Sequence, residues 1–329
     1  MLIRKFTFLL VYSLLTVCAL AQAAQSEPVE LIGYWQNFRN TATQPLRLSE
    51  IPDGYAIVIV AFASVNPYGN VKFTLQGPPY KTMADGVSLF KNDIISLQNK
   101  GVKVLLSLGG MNSLLHLDNA KKTSDFITSL EHIITDYGFD GVDYDFEGDL
   151  NKPTLANLLE ATRKISNDFS DQDAPLLFTA APESIDVHWQ VAEGKYDRLI
   201  GADLLDIVSV QLYNSTCKRS YKSGSPCYKP GTEDFIVSQA DSTLQTWLKS
   251  GVKNAESKYF IGLPATKRAA NNGYVDPAIA NKALNCLKTG KECASYKPTK
   301  KYPKIGGIMM WSINWDAKND YAFFDNVGE

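Results

Sequence analysis

Beyond its N-terminus the chain has no apolar run long enough to cross a bilayer, which takes about 20 consecutive residues. It also lacks an excess of charge: 33 basic and 35 acidic residues leave a formal net charge of −2, with the two signs interspersed. Nucleic acid, which selects a basic face, is therefore not an expected partner, and neither is a stable membrane contact. No glycine-rich fingerprint follows any apolar run, as a dinucleotide-binding sheet would require. There is no C-x-x-C pair, and the three histidines lie far from the cysteines in sequence. Neither a metal nor an organic cofactor is expected. Linkers and low-complexity tracts are missing too, so nothing marks an appended module. With 329 residues, 45 % of them hydrophobic, the chain suits one large domain, expected as a monomer.

What is present begins with an address. Arg4 and Lys5 precede an apolar run over 6–20, and Ala19, Ala21 and Ala23 supply small residues for cleavage. This is the layout of a secretory leader, read here as 1–23, with the mature chain at 24–329 and an extracellular or periplasmic destination. Cys18 would suit lipid attachment only behind a small residue, and Val17 is not one. Loss of the leader removes Cys18 and leaves Cys217, Cys227, Cys286 and Cys293, an even number in an exported chain. Each is close in sequence to one other, so two local disulfides, 217 with 227 and 286 with 293, are the economical reading.

The mature chain repeats one unit. Apolar strand-like runs occur at 31–35, 56–63, 102–108, 141–147, 176–181, 207–213, 260–263 and 305–313. Amphipathic stretches with apolar residues at i, i+3 and i+4 fill 85–100, 124–137, 154–169, 233–249 and 278–287. Asp125 and Glu233 fall near helix starts, Lys100 and Lys249 near helix ends with a glycine following, as the dipole and the C-terminal glycine preference ask. Helices after the first and fifth runs are weakly marked. Eight strands alternating with helices predict an α/β fold, a closed (β/α)8 TIM barrel in a single domain.

The fourth run, FDGVDYDFEG at 139–148, carries the chemistry. Asp143, Asp145 and Glu147 are two apart, so on a strand they share a face, while Val142, Tyr144 and Phe146 take the other. In a barrel strand that face is the interior near the C-terminal mouth, where barrel enzymes keep their sites. Three acids on about 13 Å of strand raise at least one pKa strongly. Such crowding suits a site that needs a protonated acid beside an ionised one, and Glu147, nearest the mouth, is the natural proton donor. A calcium loop is the competing reading of D-x-D-x-E-G. It fails at its twelfth position, where Thr154 stands instead of Glu, and its flanks read as strand.

Asp140-x-x-Asp143-x-Asp145-x-Glu147 resembles the D-x-x-D-x-D-x-E signature of family 18 glycoside hydrolases. Ser107-Leu108-Gly109-Gly110 resembles the S-x-G-G motif of that family's third strand. Ala181-Pro182-Glu183 resembles its fifth-strand end, Gln211-Leu212-Tyr213-Asn214 its sixth-strand motif and Met310-Trp311-Ser312 its eighth. The resemblance runs from Leu31 to Trp315. It implies an endo-type chitinase working on β-1,4-linked N-acetylglucosamine polymers, with chitin or chitooligosaccharides as partners. An endo-β-N-acetylglucosaminidase acting on N-glycan cores is the alternative. A chitin-binding lectin is a third reading, weakened because both Asp145 and Glu147 are kept.

Family members use the substrate's acetamido group as nucleophile. By resemblance, Glu147 is the acid, Asp145 accepts from the acetamido N–H, Asp143 shares a proton or hydrogen bond with Asp145, and Tyr213 donates to the acetamido carbonyl. Trp311 would floor the cleaved subsite, with Gln211, Met310 and Asn214 beside it, and Tyr34 and Trp35 are candidates to line the groove. Asp140, Ser107, Gly109, Gly110 and Phe62 have supporting roles. The peptide bonds Ala61–Phe62 and Trp311–Ser312 are expected to be cis. Asn214 stands where many family members carry Asp, and Asn214-Ser215-Thr216 reads as a glycosylation sequon that would block the pocket, a coincidence of sequence. Only 265–275 separates the seventh strand from its helix, too little for the insertion domain of deep-groove members, so an open groove without an insertion domain is expected.

Overall fold

The computed structural model describes residues 30–111, 113–171, 175–186 and 194–328; the leader expected at 1–23 lies outside them. Eight parallel strands close on themselves. They are β1 (Glu30–Gln36), β2 (Ile57–Val65), β4 (Lys103–Gly110), β5 (Gly141–Phe146), β6 (Leu177–Ala180), β7 (Ile207–Gln211), β8 (Tyr259–Pro264) and β9 (Gly307–Trp311). Closure is direct: β1 pairs with β2 on one side and with β9 on the other. A two-residue strand, β3 (Val71–Lys72), adds an antiparallel hairpin to β2 that the sequence pattern did not announce.

The marked helices form where the 3.6-residue period places them: α1 (Gly86–Asn99), α2 (Ala120–Tyr137), α3 (Lys152–Asp168), α5 (Glu233–Lys249) and α7 (Pro277–Thr289). Short helices α4 (Asp197–Gly201), α6 (Ala255–Lys258) and α8 (Ile313–Ala317) complete the set. As the weak patterns imply, only a three-residue 3-10 turn, Leu48–Glu50, follows β1, and β6 is followed among the described residues by the five-residue α4. One boundary differs from expectation. α2 starts four residues before position 124, because the Asn119 side chain accepts from Lys122 N and caps it there; Asp125 sits a turn inside. Between Pro264 and Pro277 no domain is inserted. Both disulfides form as paired in the sequence reading, with Cα–Cα separations of 5.4 Å for Cys217–Cys227 and 4.9 Å for Cys286–Cys293.

Strand alternation sorts the side chains into two cores. Ile32, Tyr34, Ile59, Leu105, Phe260 and Met309 fill the barrel interior. Trp35, Val58, Val60, Val104, Val142, Tyr144, Phe146 and Met310 pack outward beneath the helices. Trp35 and Met310 are therefore not groove residues. Trp35 is fully buried, with its indole N–H on Leu46 O at 3.0 Å and its ring edge-on to Tyr80. Met310 is also fully buried, and its sulfur accepts from the Tyr55 hydroxyl. Successive strand residues face opposite sides, so Tyr34 and Trp35 cannot share a face, nor can Met310 and Trp311.

Gly109 fixes how closely the acidic strand can be approached. It has φ +129°, and a Cβ there would lie 2.1 Å from Asp145 O. Gly109→Ala combines a disfavoured backbone with a backbone collision that no rotamer relieves. It is expected to destabilise the barrel by more than about 4 kcal/mol. Thermal unfolding followed by circular dichroism checks this, and a wild-type midpoint would contradict the packing described.

Candidate active site

The acidic ladder rises from the barrel interior to its mouth along β5. Asp143 and Asp145 are buried, at 1 % and 4 % exposure, and Glu147, just past the strand end, is half-buried. Asp143 is held by three hydroxyls: Ser107 Oγ at 2.6 Å, Tyr34 OH at 2.7 Å and Thr179 Oγ1 at 2.6 Å. Those donors occupy both of its oxygens, and among the described residues no hydrogen bond joins it to Asp145. The expected sharing between the two aspartates is thus replaced by hydroxyl donors from β1, β4 and β6. Tyr34, 1 % exposed, lies beneath the cleft as part of this cradle and not along the groove. Asp140 sits at the opposite end of β5, accepting from Val104 N and Lys103 Nζ, a structural position.

Gln211 at the end of β7 links the upper acids. Its amide nitrogen is 2.9 Å from Asp145 Oδ1, 3.4 Å from Glu147 Oε1 and 2.8 Å from Ala181 O. Burial pushes the Asp143 carboxyl above its ordinary pKa although its three hydroxyls pull it down. Asp145 is raised well above the usual carboxylate range, first by burial and then by the charges of Glu147 and Asp143. Burial also raises Glu147, against the pull of the Gln211 hydrogen bond. Asp145 and Glu147 titrate as a pair whose protons come off in two shared steps. Tyr213, 8 % exposed, is pushed well above 10 by burial and then by the Asp145 and Glu147 charges, so its phenol stays protonated.

These groups open into a cleft of about 420 Å³. Asp145, Glu147, Tyr213, Asn214 and Trp311 line it, joined by Phe62 and, from outside the motifs, by Phe38, Met111 and Arg268. Trp311 stacks on Phe62 with centroids 5.9 Å apart and meets Tyr34 edge-on at 5.6 Å. Phe38 continues the apolar wall, near-parallel to Phe62 at 6.4 Å. The bonds Ala61–Phe62 and Trp311–Ser312 are both cis, as the resemblance implied. Gly110 (φ +86°) lets the Phe62 ring lie where a Cβ would be 2.9 Å away. Asn214 takes a left-handed conformation, φ +48°, and accepts from Asn271 N at 2.8 Å, which ties β7's exit to the loop after β8.

Four charged groups beside the ladder escaped the motif reading: Glu183, Asp186, Lys195 and Lys218. Burial raises Glu183 and Asp186 and lowers Lys218, and the two lysines counter the acids. Only Glu183 left a trace, at the end of the quoted Ala181-Pro182-Glu183; the others come from loops with no spacing signal. What the site holds, then, is a partly dry acid pair under proton coupling, a neutral phenol donor and a flat aromatic floor.

Residues 30–301 match the model for glycosyl hydrolases family 18. The chain belongs to this family. It is 36 % identical over 322 residues to chitinase Chi52 of Paenibacillus xylanexedens, across 89 % of this chain and 60 % of that protein. To chitinase D of Niallia circulans it is 35 % identical over 323 residues, with the same 89 % and 60 % coverage. The chain thus spans about 60 % of the length of these curated relatives. Among solved structures, a family GH18 chitinase from Chromobacterium violaceum superposes with a TM-score of 0.76 at 32 % identity, over 91 % of this chain and 82 % of that one.

The raised pair should be visible in stability. At pH above its folded pKa, Asp145 is charged in both folded and unfolded chains, and burial of the charge is fully felt. As pH falls through the raised folded pKa the folded form takes up a proton, and the fold gains stability until the unfolded value, about 3.9, is passed. Asp145→Asn removes the buried charge. Its melting temperature should exceed wild type at pH 7–8, by a few degrees for each kcal/mol relieved. The gap should close as pH approaches 4. A variant less stable than wild type across that whole range would contradict the electrostatics described.

Proposed function

We propose that this family 18 chain is a secreted chitinase that cleaves β-1,4-linked N-acetylglucosamine polymers internally, with retention, using the substrate's acetamido group. The observation that carries this reading is the Asp145–Glu147 pair above an aromatic floor, with a protonated Tyr213 phenol facing the same cleft. The names of the relatives point the same way. Secretion is supported by the leader pattern at 1–23 and by two disulfides, which persist in oxidising compartments.

In this mechanism Trp311 carries the sugar whose bond is cleaved. Glu147, whose hold on its proton burial strengthens, gives that proton to the glycosidic oxygen. The acetamido oxygen attacks the anomeric carbon and closes an oxazolinium ring, with the proximity advantage of an attached nucleophile. Asp145 accepts from the acetamido N–H and offsets the positive charge as it develops. Tyr213 donates to the acetamido oxygen and aims it. Asp143, fixed by its three hydroxyls, stands behind Asp145. Glu147 then takes a proton from the water that opens the ring. An acid pair with pKa values raised in the free enzyme fits a site that must begin with one proton, give it to the leaving group and regain one from water. The short connection from Pro264 to Pro277 inserts no domain beside the cleft, which supports internal cleavage of a long polymer.

Glu147→Gln keeps the shape and loses the transferable proton. Turnover of chitohexaose should fall by at least roughly 10²–10⁴-fold while oligomer binding persists. Chromatography of the products from wild type should show internal fragments, with the β-anomer released first. A thiazoline analogue of the oxazolinium should inhibit. Release of glycans from a high-mannose glycoprotein, with chitohexaose left intact, would replace this reading by the N-glycan one. Wild-type turnover in Glu147→Gln would remove Glu147 as the acid.

A further inference from the structure

The acidic strand outruns its neighbour. β6 has four residues, and its pairing with β5 ends at Tyr144↔Ala180, apart from one further bond from Ala181 N to Tyr144 O at 2.9 Å. On its other side β5 stays paired with β4 through Gly110↔Phe146. The Phe146 N–H and C=O at the end of β5, and the Glu147 C=O just past it, therefore have no β6 residue paired with them. Buried backbone groups must find partners.

Two consecutive side chains supply them. The Tyr196 hydroxyl accepts from Phe146 N at 2.8 Å. Lys195 Nζ donates to Phe146 O at 2.8 Å and to Glu147 O at 3.1 Å, and it reaches Asp186 Oδ2 at 3.4 Å. Three acceptors match the three hydrogens of an ammonium group. The Lys195 and Asp186 side chains are 9 % and 12 % exposed, so this is a nearly buried charge with a fixed geometry, unlike the surface pairs elsewhere on the barrel.

We propose that Lys195, with Tyr196 beside it, is a positioning residue that stands in for the missing strand, holding the Phe146 and Glu147 carbonyls so that the Glu147 carboxyl is aimed into the cleft. The proposal rests on Glu147 as the proton donor. Its ammonium charge also acts on that group. The charged neighbours of Glu147 are Asp145 on the same strand, Glu183 and Asp186 on the segment after β6, and Lys195; Gln211 reaches it from β7. Lys218, on the Cys217–Cys227 loop, faces Glu183 and Asp186 in turn. Among these acids Lys195 pulls the Glu147 and Asp145 pKa values down, against burial that pushes them up. The same side chain thus bears both on where the Glu147 carboxyl sits and on when its proton is released.

The test compares Lys195→Met and Lys195→Arg with wild type. Two readouts are used: the Glu147 carboxyl titration, followed by carbon-detected NMR, and the pH profile of chitohexaose hydrolysis. Lys195→Met should raise the Glu147 midpoint by about one pH unit. Its alkaline activity limb should move up with it, and kcat should fall roughly 10- to 10²-fold with KM little changed. Lys195→Arg should return the midpoint to wild type and recover most of kcat. A wild-type midpoint and wild-type kcat in Lys195→Met would overturn the proposal. So would equal loss of kcat in both variants with an unmoved midpoint, the mark of a merely structural contact. If Lys195→Met does not fold, Lys195→Arg decides alone: a displaced midpoint overturns the electrostatic role, and a wild-type one with kcat reduced less than 10-fold supports it. Failure of the chitinase reading looks different, because wild type would then leave chitohexaose intact while the Glu147 midpoint still moved in Lys195→Met.

Discussion

Three carboxyl groups on alternate residues of one strand, brought out of water inside a barrel, are the constraint around which the site is built. A buried charge without partners is among the most unfavourable things a fold can contain. Each level of the ladder meets it differently. Asp143, deepest, is given three hydroxyl donors from three strands. Asp145 is given one amide contact and the partial offset of the Lys195 charge, against burial and three neighbouring acids, so its carboxyl is held well above the usual carboxylate range. Glu147, at the mouth, keeps some water and shares Gln211 with Asp145. The partners differ level by level, and it is the middle carboxyl, Asp145, that is pushed well above the usual carboxylate range.

The same constraint explains the local backbone. For carboxyls to crowd on the inner face, β4 must come close to β5 at Asp145, and only a residue without Cβ permits it at position 109. For Glu147 to stand past the end of the sheet, its strand must outrun β6, and the exposed peptide groups then need Lys195 and Tyr196. Glycines, hydroxyls and a buried lysine are separate features in the sequence. In the fold they are responses to one electrostatic problem.

Much of this was legible in the chain itself. Period-two alternation over 141–147 puts Asp143, Asp145 and Glu147 on one face, and the strand–helix repeat gives the barrel that turns that face inward. The eight runs and five marked helices follow from spacing because barrel strands are buried on both sides and helices on one. Parity was the place where motif reading overreached. Tyr34 with Trp35, and Met310 with Trp311, were grouped as site residues although neighbours on a strand diverge, and the structure sends Trp35 and Met310 under the helices. The start of α2 was hidden for another reason: a single Asn119 side chain decides it, and a periodic pattern does not register a cap.

Lys195, Asp186 and Lys218 were illegible because nothing local constrains them. They lie on segments outside the named strands; Lys195 takes its meaning from the Phe146 and Glu147 carbonyls that the fold leaves beside it, and Asp186 and Lys218 take theirs from the charges brought next to them. Asp143 makes the converse point. Sequence spacing put it next to Asp145 and the resemblance implied that the two share a proton or hydrogen bond, yet its partners come from Tyr34, Ser107 and Thr179, 109, 36 and 36 residues away. Same-strand neighbours at i and i+2 are near enough to repel but project side by side, so their oxygens do not readily point at each other. The neighbouring strands β4 and β6 approach from the side, and β1 faces β5 across the barrel interior, so their hydroxyls can lie directly on the carboxylate. Spacing along one strand therefore identifies which charges crowd together, whereas the cross-strand register decides which of them is neutralised by hydrogen bonds and which must be neutralised by a proton. In this barrel that register leaves the unresolved charge at Asp145 and Glu147, the two acids that face the cleft.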